Sequence, residues 1–221
     1  MKKIVALFIP LFALASGLSQ IQIRAANDPI ALGSACQKSV AAEQSADYTE
    51  ALKQLAVFSQ NGGDQFLALL RAGWLSYLDK KYDKAIEYYA AANRIQPMAI
   101  NALLGLLNAA QAKNDANAIK RAAENILCVD PLNYRAQMAL ANAEFSAARY
   151  QQAFAFYRRA LSVYPDDLDA TSGAAWSAYY LNNRRDAEIG FRKILSVNPD
   201  YSYAARGLEL VTGKQLSAMS R

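Results

Sequence analysis

The chain contains no histidine. That absence removes Ser-His and Cys-His catalysis together with the commonest zinc ligand. Cysteine occurs only twice, at Cys36 and Cys128. These lie in different segments of the repeat described below, and packed helices separated by roughly 8–10 Å per layer would hold them on the order of 20 Å apart. A disulfide needs Cα atoms within about 7 Å, so both are read as unpaired buried thiols packed as small apolar groups. Cys36 follows Gly33-Ser34-Ala35, which also makes it a poor site for lipid attachment. No run of five like charges occurs, and no Asn-X-Ser/Thr sequon. The net charge of +5 is concentrated early: Lys2, Lys3 and Arg24 carry three of it, and the chain without them stands at +2. A nucleic-acid partner is not indicated. Gly62-Gly63 has neither a following Lys-Ser/Thr nor a preceding strand, so it is no phosphate loop. The acids Asp166-Asp167 and Asp186 with Glu188 fall where helices begin, and there negative charge suits the helix dipole. No catalytic, metal or cofactor site is expected.

Among the 221 residues, 53% are hydrophobic and 19% charged, which describes a folded chain rather than a disordered one. Four of its six prolines, Pro97, Pro131, Pro165 and Pro199, are spaced by 34 residues. A period of that size marks stacked helix pairs, none of which buries its apolar face alone. Counting a unit as the 32 residues that end at Pro165, the eighth, twentieth, twenty-fourth and twenty-seventh are Ala141, Ala153, Tyr157 and Ala160. The unit ending at Pro97 places Gly73, Ala85, Tyr89 and Ala92 there, and that ending at Pro199 places Ala175, Ala187, Phe191 and Ile194. Small residues at the eighth and twentieth places let two helices approach closely, and the aromatic fills the gap toward the neighbour. The unit ending at Pro131 departs most, with Ile119 and Ala123 at its twentieth and twenty-fourth places and Ala118 one place early.

The segment GWLSYLDKKYDKAIEYYAAANRIQP, residues 73–97, resembles the tetratricopeptide repeat (TPR) family in its Gly73, Tyr82, Ala85, Tyr89, Ala92 and Pro97. The resemblance implies an all-α, right-handed α-solenoid of stacked antiparallel helix pairs closed by a C-terminal capping helix. It also implies a non-enzymatic scaffold that binds another protein or an extended peptide. Helices are expected near 35–45, 48–59, 64–78, 82–95, 98–112, 116–128, 132–146, 150–162, 166–180, 184–196 and 200–211. The division that follows is a leader at 1–25, a linker at 26–34 and a degenerate unit at 35–63. Four clear units at 64–199, a cap at 200–213 and a tail at 214–221 complete it.

Two lysines followed by an apolar run over residues 4–18, too short for the ~20 residues that cross a bilayer, read as a secretory signal. Cleavage after Ala15 or Ala25 fits the small residues there; an uncleaved anchor is the alternative and the one route to a membrane. A bacterial periplasmic or secreted location is expected. In each first helix the second, fifth, ninth and twelfth residues share one face. Candidate partner-binding residues on it are Leu70, Trp74, Tyr77, Asn108, Gln111, Arg135, Asn142, Phe145, Trp176 and Tyr179. Trp and Tyr combine apolar area with a polar tip, and asparagine offers a donor and an acceptor to a peptide backbone. Packing against the neighbouring unit is the other role open to these aromatics. Some family members grip a C-terminal carboxylate with basic residues at the second, fifth and sixth places. Here the fifth places are Leu70, Leu104, Met138 and Ser172, so only Arg71 and Arg135 echo that clamp, and a more apolar, aromatic-rimmed groove is expected. The alternative functions are a structural subunit of a secretion, outer-membrane assembly or polysaccharide-export complex docking through its ends or convex face, and the repeat arm of an enzyme whose catalytic part is another chain.

Overall fold

The computed structural model describes residues 29–214, so the expected leader at 1–25 and all but the first residue of the expected tail at 214–221 lie outside the described residues. Every regular element in that span is a helix: α1 (Pro29–Gln44), α2 (Tyr48–Gln60), α3 (Gln65–Leu78), α4 (Tyr82–Ile95), α5 (Ile100–Ala112), α6 (Ala116–Val129), α7 (Tyr134–Ser146), α8 (Tyr150–Val163), α9 (Leu168–Tyr180), α10 (Arg184–Val197) and α11 (Ser202–Thr212). The fold is all-α and built of stacked helix pairs. Two compact units are distinguished, one ending at Tyr88 and one beginning at Tyr89, a division that falls inside α4.

Local chemistry places the helix ends. Ala46, Lys80, Asn114, Ala148 and Asn182 all adopt left-handed φ of 55–58°, again at 34-residue steps. Each terminates a first helix with the same pair of hydrogen bonds. In the second of these turns, Lys80 N–H donates to the Tyr77 carbonyl and Lys81 N–H to that of Ser76. In the fourth, Ala148 and Arg149 donate to Phe145 and Glu144. This Schellman arrangement satisfies the orphan carbonyls of the helix end. The following helix is often capped at once: Asp47, Asp115 and Asn183 accept from the amides of Glu50, Ala118 and Asp186. Proline stops the second helices. Asp130, Tyr164 and Asn198, each preceding a proline, have ψ of 89°, 87° and 89°, out of the helical region that the following ring disfavours.

Two expectations need correction. Residues 29–34, read as linker from their Pro, Gly and Ser, are helical, because Pro29 occupies the first position of α1, where its fixed φ suits a helix and no amide hydrogen is missed. Both cysteines are free, but Cys36 and Cys128 are exposed rather than buried. A small side chain is tolerated at such solvent-accessible helix positions as well as in a core.

In the first unit Ala42, Ala51, Leu55, Ala68, Ala72 and Leu75 form the core, with Tyr48, Phe58 and Tyr88 against it. In the second, three clusters follow in order along the chain and end at Ala204, Leu208 and Val211 of α11. The alanines are buried where alternation of small and large residues allows backbones to approach. A Cβ added to Gly105, Gly173 or Gly207 would lie 2.4, 2.2 or 2.3 Å from the ring of Tyr89, Tyr157 or Phe191. The ring comes from the twenty-fourth place of one unit, and the glycine is sixth in the next first helix. Ala123, in the divergent unit, faces the corresponding Ala139, and both are buried in one cluster. Small-on-small thus replaces ring-on-glycine, and Asn114 keeps that unit's turn in register.

Gly173→Ala is expected to destabilise the protein by about 1–3 kcal/mol through overpacking against Tyr157. In a Tyr157→Ala background the same change should be neutral or favourable, since the pair then matches Ala123 and Ala139. A double-mutant cycle in urea measures this, and additive effects would contradict the pairing. Ala148→Gly should raise stability by about 1 kcal/mol, because glycine enters the left-handed region without the Cβ penalty. A thermal melt reports the sign.

Candidate interaction surface

On α3, the first unit places Leu70, Trp74 and Tyr77 along one face. Trp74 is 41% exposed and its ring stacks on Tyr77 at 5.9 Å, while Tyr77 meets Tyr82 at 5.6 Å. The indole N–H of Trp74 donates to Glu43 Oε1 at 2.9 Å, and Glu43 Oε2 pairs with Arg71. Arg71 is therefore charge-compensated by its own chain, which removes it from any carboxylate clamp. Leu70 and Trp74 border an apolar recess of about 370 Å³ that also involves Cys36, Leu55, Phe58 and Leu67.

The second unit carries the rest. Gln111 of α5 and Arg135 and Asn142 of α7 are exposed, and Asn108 is half-buried. Arg135 donates to Asn108 Oδ1, and the Tyr157 hydroxyl donates to Asn142 Oδ1 at 2.6 Å. Burial pushes the Tyr157 hydroxyl pKa up to about 12, which keeps it a donor across the physiological range. Phe145 and Tyr179 are half-buried. Trp176 differs from the expected groove rim. It is only 6% exposed and belongs to the core of α9, α10 and α11, with Phe191 at 5.1 Å and Tyr203 at 4.8 Å. The side chains of α11 cover it, so packing accounts for this tryptophan.

Sequence reasoning missed two groups. Tyr150 and Tyr180 join Phe145, Trp176 and Tyr203, the second residue of the cap helix, in one continuous patch: Tyr150 stacks on Tyr180 at 4.3 Å, Phe145 meets both, and Tyr180 lies 6.2 Å from Trp176. Tyr180 is thirteenth in its unit and Tyr150 seventeenth, outside the four-place face. The signal was the local density of tyrosine rather than its spacing. The second group is Glu144, 4% exposed, which accepts from Arg149 and lies 3.6 Å from Lys120. The Arg149 hydrogen bond holds its carboxyl below the ordinary glutamate range against the opposing effect of burial, with the charges of Arg149 and Lys120 assisting. Among the described residues no group of three or more His, Cys, Asp or Glu is placed to hold a metal.

A depressed folded-state pKa means that Glu144 stabilises the fold above its unfolded pKa of about 4.3, and that this stabilisation disappears as pH falls through the lower folded value. Glu144→Gln should accordingly melt lower than the parent chain at pH 7 and converge with it as the carboxylate protonates. A gap in melting temperature that stays constant from pH 7 to 3 would contradict the ion-paired role.

No family model matches the chain. Among solved structures, a tetratricopeptide repeat protein from Parabacteroides merdae is similar, with 17% identity, 83% of this chain and 74% of that one covered, and a TM-score of 0.69. MamA from Desulfovibrio magneticus RS-1 is similar at 13% identity, covering 77% of this chain and 97% of that one, with a TM-score of 0.66. A CTR9 homolog from Arabidopsis thaliana is 27% identical over 123 residues, a match that spans 55% of this chain but only 11% of that protein. Stacked pairs, a 34-residue ruler carried by both prolines and left-handed turns, and these structural likenesses together give the chain the fold of tetratricopeptide repeat proteins.

Proposed function

We propose that the chain is a non-enzymatic interaction scaffold of the bacterial cell envelope, which binds a partner protein or extended peptide on its first-helix surface. The observation that carries this reading is the exposure on that face of Gln111, Arg135 and Asn142, the last two held in position by Asn108 and the Tyr157 hydroxyl while remaining open to solvent. A helix face serving only stability has no need for long polar groups in register with exposed aromatics. Export rests on the leader-like character of residues 1–25 alone.

Cross-linking of the intact chain in the native envelope fraction, followed by affinity measurement with the recovered partner, tests the surface. Gln111→Ala combined with Arg135→Ala is expected to weaken binding at least tenfold, about 1.4 kcal/mol, with little change in melting temperature. Unchanged affinity would remove this face as the contact. Residues 1–25 fused to a reporter that matures only outside the cytosol should give signal, and an inactive fusion would overturn the export reading.

Docking through the convex side, as a structural subunit, is favoured by one feature: Ile189 and Val197 of α10 are exposed large hydrophobics on a second helix. Light scattering separates the two readings, since an obligate subunit would not remain monomeric with an open first-helix face.

A further inference from the structure

The second helices α8 and α10 carry more positive charge than their own acids balance. Together they hold six arginines and lysines against two acids, Asp186 and Glu188, and α8 has no acid at all. Arg192 pairs with Glu188 at 2.8 Å, and Lys193 reaches Asp166 at 3.4 Å and donates to the Pro165 carbonyl at 2.5 Å. Asp186 accepts from the side-chain amide of Asn183 at 2.9 Å. No ion pair among the described residues involves Arg158, Arg159, Arg184 or Arg185. Arg184 and Arg185 open α10, where the helix dipole disfavours positive charge, so helix stability does not account for them. Arg158 and Arg159 lie over the rings of Phe154 and Phe156 at 5.8 and 5.5 Å, a contact that leaves the N–H groups at the guanidinium edge for an acceptor.

Between these two helices runs an open recess of about 270 Å³, with Phe154, Arg158 and Leu161 of α8 on one side and Ile189, Gly190 and Lys193 of α10 on the other; Asp186 is the one acid in its lining. Ile189 is 57% exposed. Arg185, Ile189 and Arg192 follow at spacings of four and three, so two guanidinium groups flank the isoleucine along one helix face. A bilayer surface would call for apolar side chains that project outward, whereas Phe154 and Leu161 are half-buried and line a hollow. A hollow of this size takes one large apolar side chain. Charge complementarity decides what stands beside that side chain: carboxylates, which a planar guanidinium holds with two parallel hydrogen bonds. We propose that the groove between α8 and α10 docks an acidic segment of a partner protein. One large apolar residue of the segment enters between Phe154 and Ile189, and flanking Asp or Glu side chains pair with Arg158 and Arg185. This contact lies on the second-helix face and does not depend on the first-helix surface proposed above.

Fluorescence anisotropy of the full chain with a labelled peptide, Glu-Asp-Glu-Asp-Phe-Leu-Asp-Glu-Asp-Glu, tests this. One control peptide replaces Phe-Leu by Ser-Gly, and another replaces every acid by lysine. Saturable binding of the first peptide is expected, at least tenfold weaker for the Ser-Gly peptide and absent for the lysine peptide. Arg158→Glu combined with Arg185→Glu, and Ile189→Glu alone, should each weaken binding at least tenfold without shifting the melt, since all three side chains are exposed. Gln111→Ala combined with Arg135→Ala should leave it unchanged. No binding of the acidic peptide, equal binding of the Ser-Gly peptide, or indifference to Ile189→Glu would overturn the inference. Phosphatidylglycerol vesicles that bind the chain, displace the peptide and are themselves lost in Ile189→Glu would assign the groove to a membrane surface and overturn it too. If peptide binding is lost in the Gln111 and Arg135 variant but kept in the Arg158 and Arg185 variant, the acidic segment belongs to the first-helix face. In that case this inference falls and the earlier reading stands.

Discussion

A single ring against a single glycine controls how closely successive helix pairs of the second unit approach. Tyr89 on Gly105, Tyr157 on Gly173 and Phe191 on Gly207 repeat one contact at one spacing. The glycines there are needed for room rather than for backbone freedom, since a methyl group would overlap the ring. Where the ring shrinks to Ala123, the opposing residue grows to Ala139 and the space is still filled. Both solutions keep backbones close, which in turn buries the alanines that make up most of the core. Cores so rich in alanine gain little per side chain and depend on close approach for their dispersion energy.

The turns meet a second constraint. Reversing direction within a few residues requires a left-handed residue, and the chain uses alanine, lysine or asparagine there rather than glycine. Each carries some backbone strain, offset by two hydrogen bonds to carbonyls that would otherwise be orphaned and, in three of the turns, by an Asp or Asn that caps the next helix at once. Glu144 adds a tertiary link of a different kind. It ties the end of α7 to Arg149 in the turn and to Lys120 on α6, a buried acid between two partly solvated bases.

The same side chains that stabilise the second unit also shape what its surface offers. Tyr157 lies on Gly173 and, with its hydroxyl, fixes the rotamer of Asn142; Arg135 does the same for Asn108. In the first unit the analogous polar groups are turned inward on each other, with Glu43 taking both Arg71 and Trp74.

Much of this was legible from residue order. Proline spacing, the turn triplets at residues 79–81 and 113–115, and the small residues at fixed places located the helices to within two residues from α2 onward. Those signals act over a few residues: a proline ring forces extension of the residue before it, and a capping side chain reaches only three amides ahead. The start of α1 was misread because proline can open a helix as readily as close one. Beyond that range, tertiary structure decided. Trp74 and Trp176 hold the same ninth place, yet one faces solvent and the other is enclosed by α11. Whether a neighbouring helix brings a tyrosine, a glycine or nothing over a given ring depends on contacts 16 to 27 positions away, and periodicity along one helix face carries no record of them.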